Sequence, residues 1–337
     1  MPNVLYQPTH FFSPRTQLGF DPTYGYSLQQ LLQIAPPQPP DDFAAFWQRR
    51  HERARAIDPR PTTETSPFST REREVMKVFF ESTDGRRIGG WLSLPRHHTV
   101  TMGLIVGHGY GGRNAPDEEE LLAEAAILYF CARGFHLSRF PDIPETSTFH
   151  VIQGLRDRDH YVHAGCVEDL WCAANALEHL CAEVDRNIFY DGVSFGGGIG
   201  ALALPWDDRI RGGHLGLPSF GHHPLRLTMP CTGSGEAVRK VHRHDPEAVE
   251  ATLRYHDAAS AALFTDKPVL VSAARWDPSV PPPGQFAIHN AWRGPKSLFV
   301  LNAGHWSYPG ELDEQRRLRD AIRHFIRRHH QPPQDND

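Results

Sequence analysis

Ile188-Phe189-Tyr190-Asp191-Gly192-Val193-Ser194-Phe195-Gly196, followed by a small apolar run from Gly197 to Leu204, is the stretch whose reading decides the fold. Ile188 to Asp191 has the β-branched and aromatic character of a buried strand, while the Gly/Ala/Leu run suits a helix packed closely on a sheet. The Gly-x-Ser-x-Gly pentapeptide, Gly192 to Gly196, falls at the turn between them. At such a turn the serine takes a strained backbone conformation, which flanking residues without a Cβ make sterically possible, and its hydroxyl projects over a helix N-terminus. A Gly-rich turn also serves packing alone, so the pentapeptide needs partners.

The partners follow in the order serine, acid, histidine, the chain order of α/β-hydrolases. Pro268-Val269-Leu270-Val271-Ser272-Ala273 reads as a strand that delivers Asp277, 83 residues after Ser194. Lys296 to Leu301 reads as another strand, and the turn Asn302-Ala303-Gly304 after it carries His305, 28 residues beyond Asp277. In open α/β sheets the ligand crevice lies at the carboxyl ends of the strands, so three residues just past three strand ends can converge. Asp277 precedes a proline and also suits a plain turn. His305 is one of 21 histidines. The joint order carries more than either member: the catalytic candidates are Ser194, Asp277 and His305.

The strand-like Met102 to Val106 runs into Gly107-His108-Gly109-Tyr110-Gly111-Gly112, a His-Gly-x-Gly-Gly loop of the kind that supplies an oxyanion-hole amide. The backbone N–H groups of Tyr110 and Phe195 are the candidate donors, and Tyr110, Trp276 and Trp306 are candidate substrate contacts. The same loop matches Gly-x-Gly-x-x-Gly at Gly107, Gly109 and Gly112, and Gly196, Gly198 and Ala201 match the looser form. A dinucleotide loop opens directly into a helix and is followed by an acid about 20 residues on. Here Asn114 to Asp117 intervenes before a helix expected over Glu118 to Ala132, and Phe135 to Arg139 offers no acid.

Composition bounds the class: 337 residues, 39% hydrophobic and 22% charged, suit an ordinary globular chain with one large catalytic domain and an N-terminal extension. A net charge of −5 gives no reason to invoke nucleic acid, and no apolar stretch approaches a membrane span of about 18 residues. Met1 to Phe12 has neither a basic n-region nor an apolar h-region, so the expectation is a cytoplasmic protein without a secretory signal. The five cysteines (Cys131, Cys166, Cys172, Cys181 and Cys231) are odd in number and lack a Cys-x-x-Cys pair; they read as free core thiols. The pairs His97-His98, His222-His223 and His329-His330 lack the spacing of a helical zinc site, so neither metal nor cofactor is expected.

Residues 1–70 read as the extension, loop-like to Pro40, then a docking helix capped by Asp41 and Asp42 with Phe43, Phe46 and Trp47 on one face. Residues 71–330 read as the catalytic domain, opening with an antiparallel hairpin, Val75 to Ser82 and Ile88 to Leu94, at the sheet edge. A helix from Val167 to Leu180 leads into the elbow strand. Beyond the strand His214 to Leu217 lies an insertion, residues 218–265, with a helix from Pro246 to Leu263. It serves either as a cap limiting substrate size or as a helical cover on the sheet. A terminal helix, Leu312 to Arg328, and a disordered tail, 331–337, complete the expectation.

With these residues in place, the chain resembles the acetyl xylan esterase and cephalosporin-C deacetylase family, carbohydrate esterase family seven, over most of its length. Pro40 to Trp47 is similar to the family's N-terminal helix, and His108-Gly109-Tyr110-Gly111-Gly112-Arg113 to its His-Gly-Tyr-Asn-Gly-Gly-Arg loop. Gly154 to Asp169, Thr252 to Asp257 and Asp277 to Pro282 also resemble family segments. The resemblance implies an α/β-hydrolase fold with a mostly parallel sheet, helices on both faces and an antiparallel N-terminal hairpin. It implies a serine esterase that removes acetyl groups from small esters, acetylated xylo-oligosaccharides and the acetyl side chain of cephalosporin C among them. Ser194, Asp277 and His305 would form its triad, and homo-oligomers, often ring-like hexamers, are implied as well. Two departures stand out: the family's Arg-Gly-Gln-Gly motif appears as Arg139-Phe140-Pro141-Asp142, and Trp306 follows the histidine where the family has Glu. Outside this reading stand a general short-chain carboxylesterase and a catalytically silent hydrolase-fold protein that binds a ligand or partner through the same cleft.

Overall fold

The computed structural model describes residues 3–9, 11 and 17–330; the tail at 331–337 lies outside them. Ten strands among the described residues form one sheet: β1 (Asn3–Tyr6), β2 (Thr62–Thr65), β3 (Arg73–Glu81), β4 (Arg87–Pro95), β5 (Met102–Val106), β6 (Ala125–Phe130), β7 (Ile188–Val193), β8 (Ile210–Gly216), β9 (Val269–Ala274) and β10 (Lys296–Leu301). Their spatial order is β1-β10-β9-β8-β7-β5-β6-β4-β3-β2. Every pair from β1 to β6 in that order is parallel, and β6–β4, β4–β3 and β3–β2 are antiparallel. This is the α/β-hydrolase architecture. The fully buried apolar runs of β5, β6 and β9 are what a parallel strand covered on both faces requires.

The two faces are covered unequally. One packs on the Phe43–Arg55, Val162–Leu180, Phe195–Ala203 and Pro282–Ala291 helices and on the insertion. Against the other lies the Glu311–His329 helix, whose Leu318, Ile322, Phe325 and Ile326 sit on Leu104, Ile127, Phe189 and Leu270. Apolar residues at i, i+4, i+7 and i+8 give that helix one buried stripe beneath a charged outer face.

Several expectations are corrected. The Glu118 to Ala132 helix does not form: residues 118–124 are irregular and Ala125–Phe130 is the buried strand β6. Acids and leucines favour a helix locally, yet this apolar run fits the slot between β5 and β4, and tertiary burial overrides propensity. The Arg-Gly that follows this strand is Arg133-Gly134, with the Arg133 guanidinium buried and doubly bonded to Asp169 at 2.8 and 3.0 Å. Arg139 is instead a surface residue paired with Glu145 at 2.7 Å. The hairpin of β3 and β4 is not at the sheet edge, since β2 lies outside it, and residues 1–40 contribute β1 and the Leu28–Leu31 helix.

Asp42 occupies the N-cap position of the Phe43–Arg55 helix but makes no side-chain cap bond; its carboxylate accepts from the Tyr255 hydroxyl at 2.6 Å. That helix docks through buried Phe43, Phe46 and Trp47, through Trp47 Nε1 donating to the Tyr255 carbonyl at 2.9 Å, and through Glu168, which accepts from Arg50 and Arg53 at 2.8 and 2.7 Å. The helix ahead of the elbow strand starts earlier than expected, at Val162. Pro246 to Leu263 is broken into Pro246–Leu253 and Ala258–Ala261, with Asp257 capping the second by accepting from the Ala259 and Ser260 amides. All five cysteines are free and buried. Among the described residues no helix is long and apolar enough to cross a membrane.

Candidate active site

Ser194 directly follows β7 and occupies the N-cap position of the Phe195–Ala203 helix with φ 60° and ψ −114°. A Cβ at Gly192 would sit 2.5 Å from the Tyr190 hydroxyl, and one at Gly196 would sit 2.9 Å from the His108 carbonyl oxygen. Both glycines are therefore steric requirements of the turn. Tyr190 supports it from below, its hydroxyl donating to the Gly196 carbonyl at 2.7 Å.

The three candidates do converge. His305 Nε2 lies 2.9 Å from Ser194 Oγ, and His305 Nδ1 lies 2.8 Å from Asp277 Oδ2. Asp277 is buried, and its turn does two jobs: Oδ1 accepts from the Ser279 and Val280 amides, both at 2.9 Å, which aims Oδ2 at the histidine. Gln285 Nε2 donates to the same Oδ2 at 3.0 Å. The His305 side chain remains 25% exposed, so the site opens to solvent. Burial pulls the imidazole down, but the charge and hydrogen bond of Asp277 together outweigh it and carry His305 above the ordinary histidine value.

The loop 107–112 lies against the elbow, and His108 fixes it. His108 Nε2 accepts from the Ala132 amide at 3.0 Å, so Nδ1 carries the proton and donates to the Gly109 carbonyl at 2.7 Å. Burial lowers this imidazole to about 4, which keeps it neutral in that role near pH 7. Among the described residues neither the Tyr110 nor the Phe195 amide has an acceptor, as expected of an open loop and of the first residue of a helix. The Tyr110 ring turns inward, 4.4 Å from the Phe195 ring, and its hydroxyl bonds His163 Nε2 at 2.8 Å. That corrects the expectation of a substrate contact by this side chain. Trp276 is corrected too: it is 1% exposed and packs with Ala303 and Tyr308, because the Trp-Asp-Pro turn points the indole into the core. Trp306, 40% exposed and edge-on to Trp276 at 5.5 Å, does stand beside His305.

Three supports were not read from the sequence. The Pro22 carbonyl accepts from the Asp277 amide at 3.1 Å, a contact between distant segments with no local signal. Gln285 sits eight residues past the acid, one turn into the following helix, a spacing that marks it only once the helix start is known. Arg226, in the short His223–Thr228 helix of the insertion, is buried near the triad. The insertion itself both covers Phe195 through Phe220 and reaches the acid turn, where the Thr232 amide donates to the Pro278 carbonyl at 2.8 Å. Among the described residues no group of acids, histidines and cysteines is arranged to hold a metal ion.

Comparison with known proteins places the chain in a family. The Acetyl xylan esterase (AXE1) family model matches residues 24–324. Acetyl esterase Axe7A of Xylanibacter ruminicola is 26% identical over 166 residues, 47% of this chain and 36% of that protein, so the match spans about a third of the relative's length. Among solved structures, acetyl xylan esterase from Paenibacillus sp. R4 superposes with a TM-score of 0.75 at 24% identity over 88% of this chain and 100% of that one. Acetyl Xylan Esterase 1 from Thermoanaerobacterium sp. JW/SL YS485 gives 0.76 at 24% identity over 90% and 99%. The acylaminoacyl peptidase of Pyrococcus horikoshii gives 0.60 at 15% identity over 79% and 43%, a likeness of fold alone. With a family match over nearly the whole chain, on an α/β-hydrolase sheet that brings serine, histidine and aspartate into one hydrogen-bonded line, this chain belongs to the acetyl xylan esterase family, a family of carboxylic ester hydrolases.

Proposed function

We propose that the chain is a serine esterase that hydrolyses small acetyl esters, acetylated carbohydrates foremost, through Ser194, His305 and Asp277. The observation that carries this is the 2.9 Å approach of His305 Nε2 to the hydroxyl of a serine held at φ 60° on a helix N-terminus. His305 takes the Ser194 proton as Oγ attacks the acetyl carbonyl, and Asp277 holds the imidazole by Nδ1–H and stabilises its cationic form. The oxyanion forms against the Tyr110 and Phe195 amides, two preorganised donors each worth about 10²–10³ in rate. Collapse of the tetrahedral intermediate expels the alcohol with the proton from His305. Water then attacks the acetyl-enzyme by the same route, releasing acetate. No step needs a metal or cofactor.

A fluorophosphonate probe tests the nucleophile: it labels wild type at Ser194 and leaves Ser194→Ala unlabelled. Absence of label from the folded wild-type chain sustains the alternative of a silent ligand-binding relative. An acyl series from p-nitrophenyl acetate to octanoate then separates a deacetylase, with kcat/KM falling steeply beyond acetate, from a general short-chain carboxylesterase with a flat profile.

A further inference from the structure

Arg226 is 8% exposed, and its guanidinium has neither a carboxylate nor any hydrogen-bond acceptor among the described residues; Nε is wholly buried without a partner. Among the described residues its terminal N–H groups are left without a protein acceptor, and a cation largely removed from water gains when an anion joins it. The neighbourhood supplies none. Asp277 is committed to His305, Gln285 and two amides, Asp257 to four amides, and Glu236 to Arg239 and Arg243. His163 and His223, on which the Arg226 charge bears, are held neutral by burial.

Its place ties it to the reaction. The guanidinium lies 5.7 Å from the Phe220 ring, and Phe220 follows Ser219, whose amide donates to the Ser194 carbonyl at 3.1 Å. On the other side is Cys231, and the amide of the next residue, Thr232, donates to the Pro278 carbonyl beside the acid. Gly235 makes room for the side chain, since a Cβ there would stand 2.9 Å from one terminal guanidinium nitrogen. The positive charge is felt at His305, where it opposes protonation.

We infer that Arg226 is a specificity residue that receives a carboxylate on the alcohol half of the ester, so that the enzyme favours acidic acetyl esters over neutral ones of the same shape. This rests on the esterase reading above. A planar guanidinium with free N–H groups matches a carboxylate bidentately, and desolvation inside the pocket strengthens the pair.

The test compares 3-acetoxybenzoate with its methyl ester, which share the scissile bond and differ in one charge. The ratio of kcat/KM, acid over methyl ester, falls about 10–100-fold in Arg226→Gln, mainly through KM of the acid, and recovers in part in Arg226→Lys. An unchanged ratio overturns the proposal, because a merely structural arginine would lower both substrates together. Titration of benzoate, followed by calorimetry, separates this from failure of the esterase reading. Benzoate binds wild type and Ser194→Ala alike and at least about 10-fold more weakly to Arg226→Gln; equal affinity overturns the site whether or not either ester is hydrolysed. If Arg226→Gln does not fold, Arg226→Lys carries both comparisons, and equality with wild type in both is the overturning result.

Discussion

Two serine–histidine–aspartate lines share the strands of this sheet, with almost the same hydrogen-bond lengths. Ser194, His305 and Asp277 are joined at 2.9 and 2.8 Å; Ser272, His214 and Asp191 are joined at 2.9 and 2.7 Å. Their surroundings differ. Ser272 lies inside β9, buried, with its carbonyl accepting from the Leu217 amide, and the buried His214 ring spans from β7 to β9. Ser194 lies past the end of its strand, in a left-handed conformation, with a free helical amide next to it and a histidine open to the surface. The lesson is that the hydrogen-bonded order of three side chains is a structural device available anywhere in a core. A strained turn, unpaired amides and access turn it into a nucleophile.

The largest expected contrast is between the serines. Ser194→Ala lowers kcat on p-nitrophenyl acetate by about 10³–10⁶ while leaving the Tm nearly unchanged. Ser272→Ala leaves kcat within about threefold and instead costs about 1–2 kcal/mol of stability in urea titration, because a buried imidazole nitrogen loses its partner. Comparable kcat losses in both variants would break the distinction.

The aspartates come next. Asp277→Asn lowers kcat by about 10³–10⁴. Because Asp277 raises His305, its loss also moves the acid limb of the pH profile to lower pH. In wild type the limb lies above the ordinary histidine value of about 6.5, with activity rising as His305 loses its proton. The same pairing gives folded-state stability that is complete below about pH 6.5 and fades as pH climbs through the raised value, so the Tm gap to Asp277→Asn narrows from pH 6 to pH 9. Asp191→Asn leaves the limb in place.

A smaller effect sharpens the role of the turn. Gly196→Ala pushes on the His108 carbonyl and displaces the loop bearing the Tyr110 amide, with an expected loss of about 10–100-fold in kcat and little change in KM. Smallest is Trp306→Ala, which removes an exposed indole at the rim and raises KM about two- to fivefold, read from initial rates on the acetate ester.

The sequence made legible what local patterning controls. The strands that deliver Ser194, Asp277 and His305 are short apolar runs ended by turn residues, and the elbow glycines announce their own steric reason. What it concealed depends on distant partners. Residues 118–132 carry helix-favouring acids and leucines, yet β6 is decided by a slot between two other strands, and that misreading displaced the Arg-Gly pair from Arg133 to Arg139. Trp276 and Trp306 look equivalent in the chain, and only the direction of two turns sends one inward. Arg226 is one arginine among many until the absence of an acid around it becomes visible.

The Pro22 carbonyl on the Asp277 amide, with the Tyr24 hydroxyl on the Pro230 carbonyl at 2.7 Å, has a practical corollary. The leading segment works as a latch across the acid turn and the insertion, so a shortened clone starting near residue 30 would lose the edge strand β1 but retain every triad side chain and the other nine strands, yet release the clasp that keeps the carboxylate aimed. Purification tags are better placed at the far end of the chain.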